Sequence, residues 1–380
     1  MQSEINRCFG VLKDGPAPNQ VITDSAVFKA RHKLSPTAFF RLNDRVCEFF
    51  YQHGQPRLWH GFRLLAIDGS TLRLPNTADI VEFFGRQEPI DGSPSVPLAQ
   101  ISELFDPLNG ITVAATIAPY EEGERALLVR EGLWIKVGTL LLADQGYPAF
   151  WLWHWIQRQK AHFCFRLSPD QWKCAGEFVS SGERERIIDL SLPSQESRRQ
   201  CREHDLPTTP LRVRLIRVDL PNGEVEVLGT SLTDADLYPA GEFQALYHLR
   251  WSNEEKFKRN KCRAEMENFS GLSPWTVLQD FYARIFSMNL TVLLAWPIQP
   301  EIEQQYAERK YRYQVNWASA LIAIKASFAQ LFYGSGLAEL LERLHQWFIE
   351  NVSPIRPNRC YPRNHKHHKR VFYINYKPCL

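Results

Sequence analysis

The sequence predicts an α/β fold: a mixed sheet flanked by helices, interrupted by a β-rich insertion, with helical regions at both ends. Three observations predict it. The segment TLLLADQG (139–146) is a nearly all-apolar strand, the composition of a strand buried on both faces. Around it, strand, hairpin, helix, strand, helix and strand follow one another between residues 61 and 168, an order that suits a mixed sheet covered by helices. Residues 169–238 then break that rhythm with two strand-like runs joined through Pro221-Asn222-Gly223, a strong turn signal.

Taken in order, residues 1–60 read as a small helical region. Ser25 caps AVFKARHKL, and Ser35-Pro36 opens TAFFRLNDRVCEFFYQ, which carries an apolar stripe. From Gly61 to residue 168 the pattern changes. FRLLAID (62–68) is a strand ending on an acid and a glycine. PLAQISELFD (97–106) and GITVAATIAP (110–119) flank a hairpin turn at Pro107–Gly110. ERALLVREGLW (124–134) and AFWLWHWIQRQ (149–159) read as helices, with HFCFRLS (162–168) as a further short strand. Within 169–238, LRVRLIRV (211–218) and EVEVLGTSL (224–232) make the insertion β-rich. Residues 239–296 return to helix, including PWTVLQDFYARIFSMNLTVLLAW (274–296). Residues 297–380 form a helical region, over about 315–349, and then a basic tail.

The apolar fraction of 44% and charged fraction of 23% are those of an ordinary chain with a real core. No run approaches ~18 uninterrupted apolar residues, so no membrane-spanning helix is expected. The N-terminus MQSEINRCFGVLKDG lacks the apolar stretch of a secretion signal. The eight Cys form no C-x-x-C and no zinc-like spacing, which favours free thiols in a reducing cytoplasm. The net charge of +3 implies little, but its distribution is uneven. Residues 351–380 carry Arg356, Arg359, Arg363, Lys366, Lys369, Arg370 and Lys377 with no acid. A second basic cluster spans Arg250, Lys256, Lys258, Arg259, Lys261 and Arg263. Two such clusters in a near-neutral chain suggest contact with a polyanion.

The run YHLRWSNEEKFKRNK (247–261) contains no Gly or Pro and reads as helix. At about 100° per residue, Arg250, Glu254 and Lys261 fall about 300°, 340° and 320° from Tyr247, so all four share one stripe about 60° wide. Glu255, at about 80°, faces elsewhere. A carboxylate flanked by two cations and a phenol suits a metal held beside a phosphodiester. The alternative is a solvated helix in which Glu254 pairs with Arg250 or Lys258. Asp68 and Asp144 each end an apolar strand. If those strands are adjacent and parallel, the two carboxylates meet at one sheet edge, where open α/β sheets place ligands. Each could instead be a plain strand-ending turn. Three carboxylates fit Mg²⁺ or Mn²⁺, and two such ions about 3.5–4 Å apart can activate a nucleophile and stabilise a leaving oxygen at phosphorus. The chain lacks a P-loop, a dinucleotide fingerprint, G-x-S-x-G and H-E-x-x-H.

On these residues the chain resembles a DDE transposase of bacterial insertion sequences. More narrowly it resembles the family-four insertion-sequence group, whose Glu helix carries Y-x2-R-x3-E-x6-K. Tyr247, Arg250, Glu254 and Lys261 meet that pattern without a gap. IDGSTLRLP (67–75) resembles the first-Asp strand, LLADQGY (141–147) the second, and ENFSGLSPWTVLQDFYARIFSMNL (267–290) the region after the Glu. The chain departs from the group at Gln145 and Asn253. The resemblance implies an RNase H-like sheet, catalytic and metal-binding Asp68, Asp144 and Glu254, two Mg²⁺ with Mn²⁺ as a substitute, and DNA contacts by Tyr247, Arg250 and Lys261. It also implies DNA-end binding by the region 1–60, cleavage at transposon ends, strand transfer into target DNA, a homodimer on DNA, and work at the nucleoid in the cytoplasm. In relatives a base is flipped onto an aromatic side chain, for which Trp172 is the candidate. The alternatives are a transposase-derived DNA-binding protein that has lost catalysis, and a nuclease that only hydrolyses.

Overall fold

The computed structural model describes residues 2–12, 22–88, 95–191, 194–220, 223–250 and 266–356. They divide into two units: Pro56–Arg73 with Val81–Cys262, and Met1–Gln55 with Leu74–Ile80 and Arg263–Leu380.

The first unit is built on one nine-stranded sheet. Its strands are β1 (Arg63–Arg73), β2 (Arg86–Gln87), β3 (Val96–Asp106), β4 (Ile111–Pro119), β5 (Thr139–Ala143), β6 (His162–Leu167), β7 (Glu185–Leu190), β8 (Leu211–Asp219) and β9 (Val225–Thr230). Apart from β2, which pairs with the start of β3, the order is β4-β3-β1-β5-β6-β9-β8-β7. The first five strands of that order make a mixed parallel and antiparallel sheet, as the sequence predicts. β1 lies between antiparallel β3 and parallel β5, and β5 is parallel to β6. The nearly all-apolar composition of β5, Thr139 apart, follows from this central place, because its five residues are all buried. β1 runs on past Asp68 to Arg73 because β3 continues to pair with it as far as Arg73↔Leu98, after the β5 partner has ended at Leu142.

The insertion extends the same sheet. β9 pairs antiparallel with β6 from Cys164↔Thr230 to Leu167↔Val227, and β8 and β7 follow it outward. It also contains two helices that its strand-like runs do not announce, α7 (Lys173–Ser181) and α8 (Gln195–Glu203). Gly, Cys, Val and Ser weaken the helical signal of α7. In α8 only Cys201 is buried, so no apolar stripe marks it.

Ahead of these come α4 (Ala78–Phe84), α5 (Glu124–Arg130) and α6 (Phe150–Arg158). The helix expected over 124–134 ends at Arg130 and tightens to a 3₁₀ turn at Gly132–Trp134. Gly132 sits so close to Trp155 that a Cβ there would be 2.6 Å from the indole ring. After β9, α9 (Phe243–His248) lays Phe243, Leu246 and Tyr247 onto the face that carries Leu64, Ala66, Leu140, Leu142, Cys164 and Leu228. The alternation of these positions along each strand is the two-residue period of a sheet face.

The second unit is helical. It holds α1 (Gln2–Leu12), which the sequence did not announce, α2 (Asp24–Arg31), α3 (Thr37–His53), α10 (Pro274–Ala295), α11 (Gln299–Gln305), α12 (Trp317–Tyr333) and α13 (Leu337–Glu350). The cap of α2 is Thr23, whose hydroxyl accepts from Ala26 N at 3.3 Å, and not Ser25. The helical stretch expected near 315–349 breaks after Tyr333, where Gly334 is extended, and Gly336, with a left-handed φ of +74°, precedes the next helix. A small sheet pairs β10 (Arg312–Val315) with β11 (Val352–Ile355). By length and composition the helical span Pro274–Gln305 is apolar enough to cross a membrane. Half of it is buried, however, and the polar groups of α10 are used inside this unit. Asp280 accepts from Ser270 N at 2.6 Å and pairs with Arg31 at 2.8 Å, and Asn289 donates to Asn43 at 2.6 Å. These contacts are those of a core helix.

Candidate active site

The parallel pairing of β1 with β5 brings two predicted residues to one end of the sheet. Ala66 is opposite Leu142, so Asp68 and Asp144 each lie two residues beyond that pair, on the face covered by α9. Asp68 Oδ1 accepts from the backbone N–H of Gly69 at 3.0 Å. Tyr247 is 2% exposed, and its hydroxyl lies 3.4 Å from both Ala143 O and Asp144 Oδ1. Burial raises the Tyr247 hydroxyl well above the ordinary phenol range; Arg250 opposes this and Asp144 adds to it. Tyr247 is therefore a donor toward Asp144. Arg250 is equally buried, with its guanidinium 5.5 Å from the centre of the Tyr247 ring. The two residues thus lie under the acid edge, with little of either open to solvent. Glu254, Lys261 and most of the basic helix lie outside the described residues, as does the basic tail from residue 357.

Several residues that the sequence reading passed over complete this edge. Arg166, on β6, places Nε 3.1 Å from Asp144 Oδ1 as an ion pair that is not aligned as a hydrogen bond. Its Nη1 donates to Glu226 Oε1 of β9 at 2.8 Å. Burial works against the Arg166 charge, but the Glu226 hydrogen bond and the Asp144 carboxylate outweigh it and raise its pKa. The loop after Asp144 is held by Arg125, which donates to the carbonyls of Gly146 at 2.8 Å, Tyr147 at 3.0 Å and Pro148 at 3.2 Å. From the other face, Glu124 leans over Gly69, so that a Cβ at Gly69 would run into its carboxylate. Burial raises the Glu124 carboxyl, with Arg125 opposing and Asp144 adding. Tyr147 is 2% exposed and its hydroxyl has no hydrogen-bond partner among the described residues. Burial, then Glu124, Asp68, Glu131 and Asp144, hold that hydroxyl protonated. Glu103 faces Asp68 directly across β1 and β3 and is fully buried. Arg166 and Glu103 are single charged positions in largely apolar runs, while Glu124 and Arg125 sit in the charged run 121–125, so no spacing rule picks any of them out.

Trp172 stacks on the core residue Trp153, with ring centres 5.1 Å apart. It also lines a cavity of about 580 Å³ together with Trp151, His204 and Arg125. Trp172 therefore has a packing partner and is half-buried.

A hard divalent cation takes oxygen ligands and keeps several waters. Asp68 and Asp144 supply carboxylate oxygens at one sheet end, and Asp144 Oδ2 has no partner among the described residues. The donor set thus fits Mg²⁺ or Mn²⁺. Among the described residues no three His, Cys, Asp or Glu side chains group closely enough to hold a metal.

Comparison with known proteins bears on the same segment. A family model described as "Transposase DDE domain" matches residues 59–290. Transposase InsG for insertion sequence element IS4, of Escherichia coli (strain K12), is 25% identical over 279 residues, covering 72% of this chain and 62% of that protein. The chain thus spans about six tenths of the length of that relative. InsZ of the same strain is 27% identical over 131 residues, 33% of this chain and 42% of InsZ. A cryo-EM structure of the piggyBac transposase synaptic complex with hairpin DNA superposes with a TM-score of 0.39 at 8% identity, over 75% of this chain and 57% of that one. The matched segment is more than half of the sequence and contains both strand-end acids, and the chain belongs to the transposase DDE domain family.

Proposed function

We propose that this chain is a DNA transposase that cleaves at the ends of an insertion sequence and transfers the freed strand into target DNA. One observation carries the reading most directly: the β1–β5 register, which brings Asp68 and Asp144 to the same end of adjacent parallel strands. Asp68, Asp144 and Glu254 hold the divalent cations, two Mg²⁺ in this reading. Bound there, the cations supply an activated nucleophile and charge stabilisation at the leaving oxygen.

The chain's own residues do the rest. The Tyr247 hydroxyl and the Arg166 guanidinium fix Asp144 through Oδ1, leaving Oδ2 for ligation. Arg125 holds the loop that follows Asp144. Lys261 clamps a phosphate oxygen beside the scissile bond, whereas Tyr247 and Arg250, expected to touch DNA, are each only 2% exposed and support the acid edge from beneath. Hydrolysis breaks the P–O3′ bond and leaves a 3′-hydroxyl. That hydroxyl then attacks phosphorus in the target, forming one P–O bond and breaking another. The basic cluster from Arg250 to Arg263 and the basic tail add salt-dependent affinity without specifying sequence, and the region 1–60 contributes to holding the end. Two ends must be held together, so the working form is a homodimer on DNA at the bacterial nucleoid.

The test is a duplex carrying the element's own end, incubated with the purified protein in Mg²⁺ or EDTA. The expected result is Mg²⁺-dependent cleavage at the end, abolished by Asp68→Ala and by Glu254→Gln, with Glu254→Gln binding DNA nearly as well as the parent. Equal loss of binding and cleavage in Glu254→Gln would argue against a metal-ligand role. Binding by a folded parent that never cuts would favour a descendant that has lost catalysis. A pre-cut end that is never joined to target would favour a plain nuclease.

A further inference from the structure

Asp144 shares its nearest cation with a second acid. Arg166 makes its well-formed hydrogen bond to Glu226, at 2.8 Å, and leans on Asp144 Oδ1 at 3.1 Å without hydrogen-bond alignment. The three side chains are partly buried: Arg166 is 23% exposed, Glu226 11% and Asp144 34%. Arg166 is the partner of Glu226 among the described residues. As a strand tie the contact is redundant, because β6 and β9 are already paired along Cys164–Leu167, with Arg166 opposite Leu228. Its effect falls on Asp144. A fixed positive charge about 3 Å from a carboxylate competes with any cation for that carboxylate.

We propose that Arg166 is a positioning residue whose charge, held on Asp144 Oδ1, competes with the divalent cation for that carboxylate, and that Glu226 sets the strength of this competition by drawing Arg166 away. The proposal rests on the reading of Asp144 as a cation ligand. It gives the insertion strand β9 a part in the site: Glu226 tunes how readily Asp144 takes a cation. With Arg166 present, Asp144 is held and charge-balanced before the cation arrives. With Glu226 present, that hold stays weak enough to be displaced.

The experiment is Mn²⁺ titration of the full chain, with free Mn²⁺ read by electron paramagnetic resonance, for the parent, Arg166→Gln, Arg166→Lys, Glu226→Gln and Asp144→Asn. Asp144→Asn should lose the tight site, which locates it. Arg166→Gln should bind Mn²⁺ about ten-fold more tightly, a modest effect for removing one nearby charge at a partly exposed site. Arg166→Lys keeps the charge and should stay close to the parent. Glu226→Gln should bind more weakly, because Arg166 then has Asp144 as its carboxylate. A merely structural role would weaken Arg166→Gln and Glu226→Gln alike, and that outcome overturns the proposal, as does an unchanged affinity in folded Arg166→Gln. If Arg166→Gln does not fold, Glu226→Gln decides alone: unchanged or tighter binding refutes the competition. A folded parent that binds no Mn²⁺ overturns the metal reading itself, which is a different result from variants that bind but fail to move in opposite directions.

Discussion

Replacing Gly69 with Ala tests the packing of the acid edge most directly. Gly69 directly follows Asp68, and the Glu124 side chain crosses its open face. A Cβ at Gly69 would run into Glu124 Oε1 and would lie 2.8 Å from Cδ and 3.1 Å from Cγ. The backbone itself does not object, because Gly69 is not among the glycines with positive φ. On unfolded-state entropy alone, the change to Ala would therefore stabilise the chain by about 0.4–1 kcal/mol. The clash works the other way, at about 1–3 kcal/mol for overpacking. It belongs at the lower end of that range, because the offending atoms end a flexible side chain whose ionised form is already penalised by burial. Moving that carboxylate also costs Gln100 Nε2 its acceptor at 3.4 Å, about 0.5 kcal/mol for so long a bond. The net expectation for Gly69→Ala is a loss of about 1 kcal/mol. In Glu124→Ala the obstacle is gone, and the same Gly69→Ala change should be neutral or stabilising. Urea unfolding of the parent, both single variants and the double variant gives the coupling. The expected coupling is about 1 kcal/mol or more, whereas sites that do not touch add to within about 0.3–0.5 kcal/mol. Additivity within that margin would refute the close approach of Glu124 to Gly69.

Two further predictions follow from the same geometry. Glu124 has its pKa raised from 4.5 by burial, so the folded chain holds a proton there that the unfolded chain has released. Stability therefore falls as pH rises from the ordinary value through the raised one. Glu124→Gln should remove that decline in urea midpoints measured between about pH 4 and pH 7, and an unchanged pH slope would count against the assignment. In the helical unit, Asp280→Ala leaves Arg31 and the Ser270 N–H without their carboxylate. It should cost about 3 kcal/mol by urea unfolding, the lower end for breaking a buried pair, since Arg31 is one-fifth exposed. A loss under about 1 kcal/mol would mean that water replaces the contact fully.

The parts of the fold that were legible are those where one element's own composition reports its environment. β5 reads as a central strand because four of its five residues are apolar and all five are buried. The hairpin β3–β4 and the strands β8 and β9 announce themselves through runs bounded by turn residues. The helices α7 and α8 were not legible. One is built from weak helix formers, and the other buries a single side chain, so neither leaves a periodic apolar signal. The cap of α2 and the break before α13 turned on one hydroxyl and one left-handed glycine, choices that neighbouring residues contest.

For the site, the sequence by itself determined the kind of chemistry available: two acids at the ends of strand-like runs, Asp68 just before Gly69 and Asp144 two residues before Gly146, and a stripe of Tyr247, Arg250, Glu254 and Lys261 if those residues are helical. Only the tertiary structure decided that β1 and β5 are neighbours and parallel, so that Asp68 and Asp144 share one end of the sheet. It also decided that Tyr247 and Arg250 are buried beneath that end, and that Arg166, Glu226, Arg125 and Glu124 surround it. The reason is physical. A residue type and its spacing along one element report the local period and burial, which that element carries by itself. A charge partner is set by which strand lies alongside and in what register, and that depends on pairings between residues far apart in the chain.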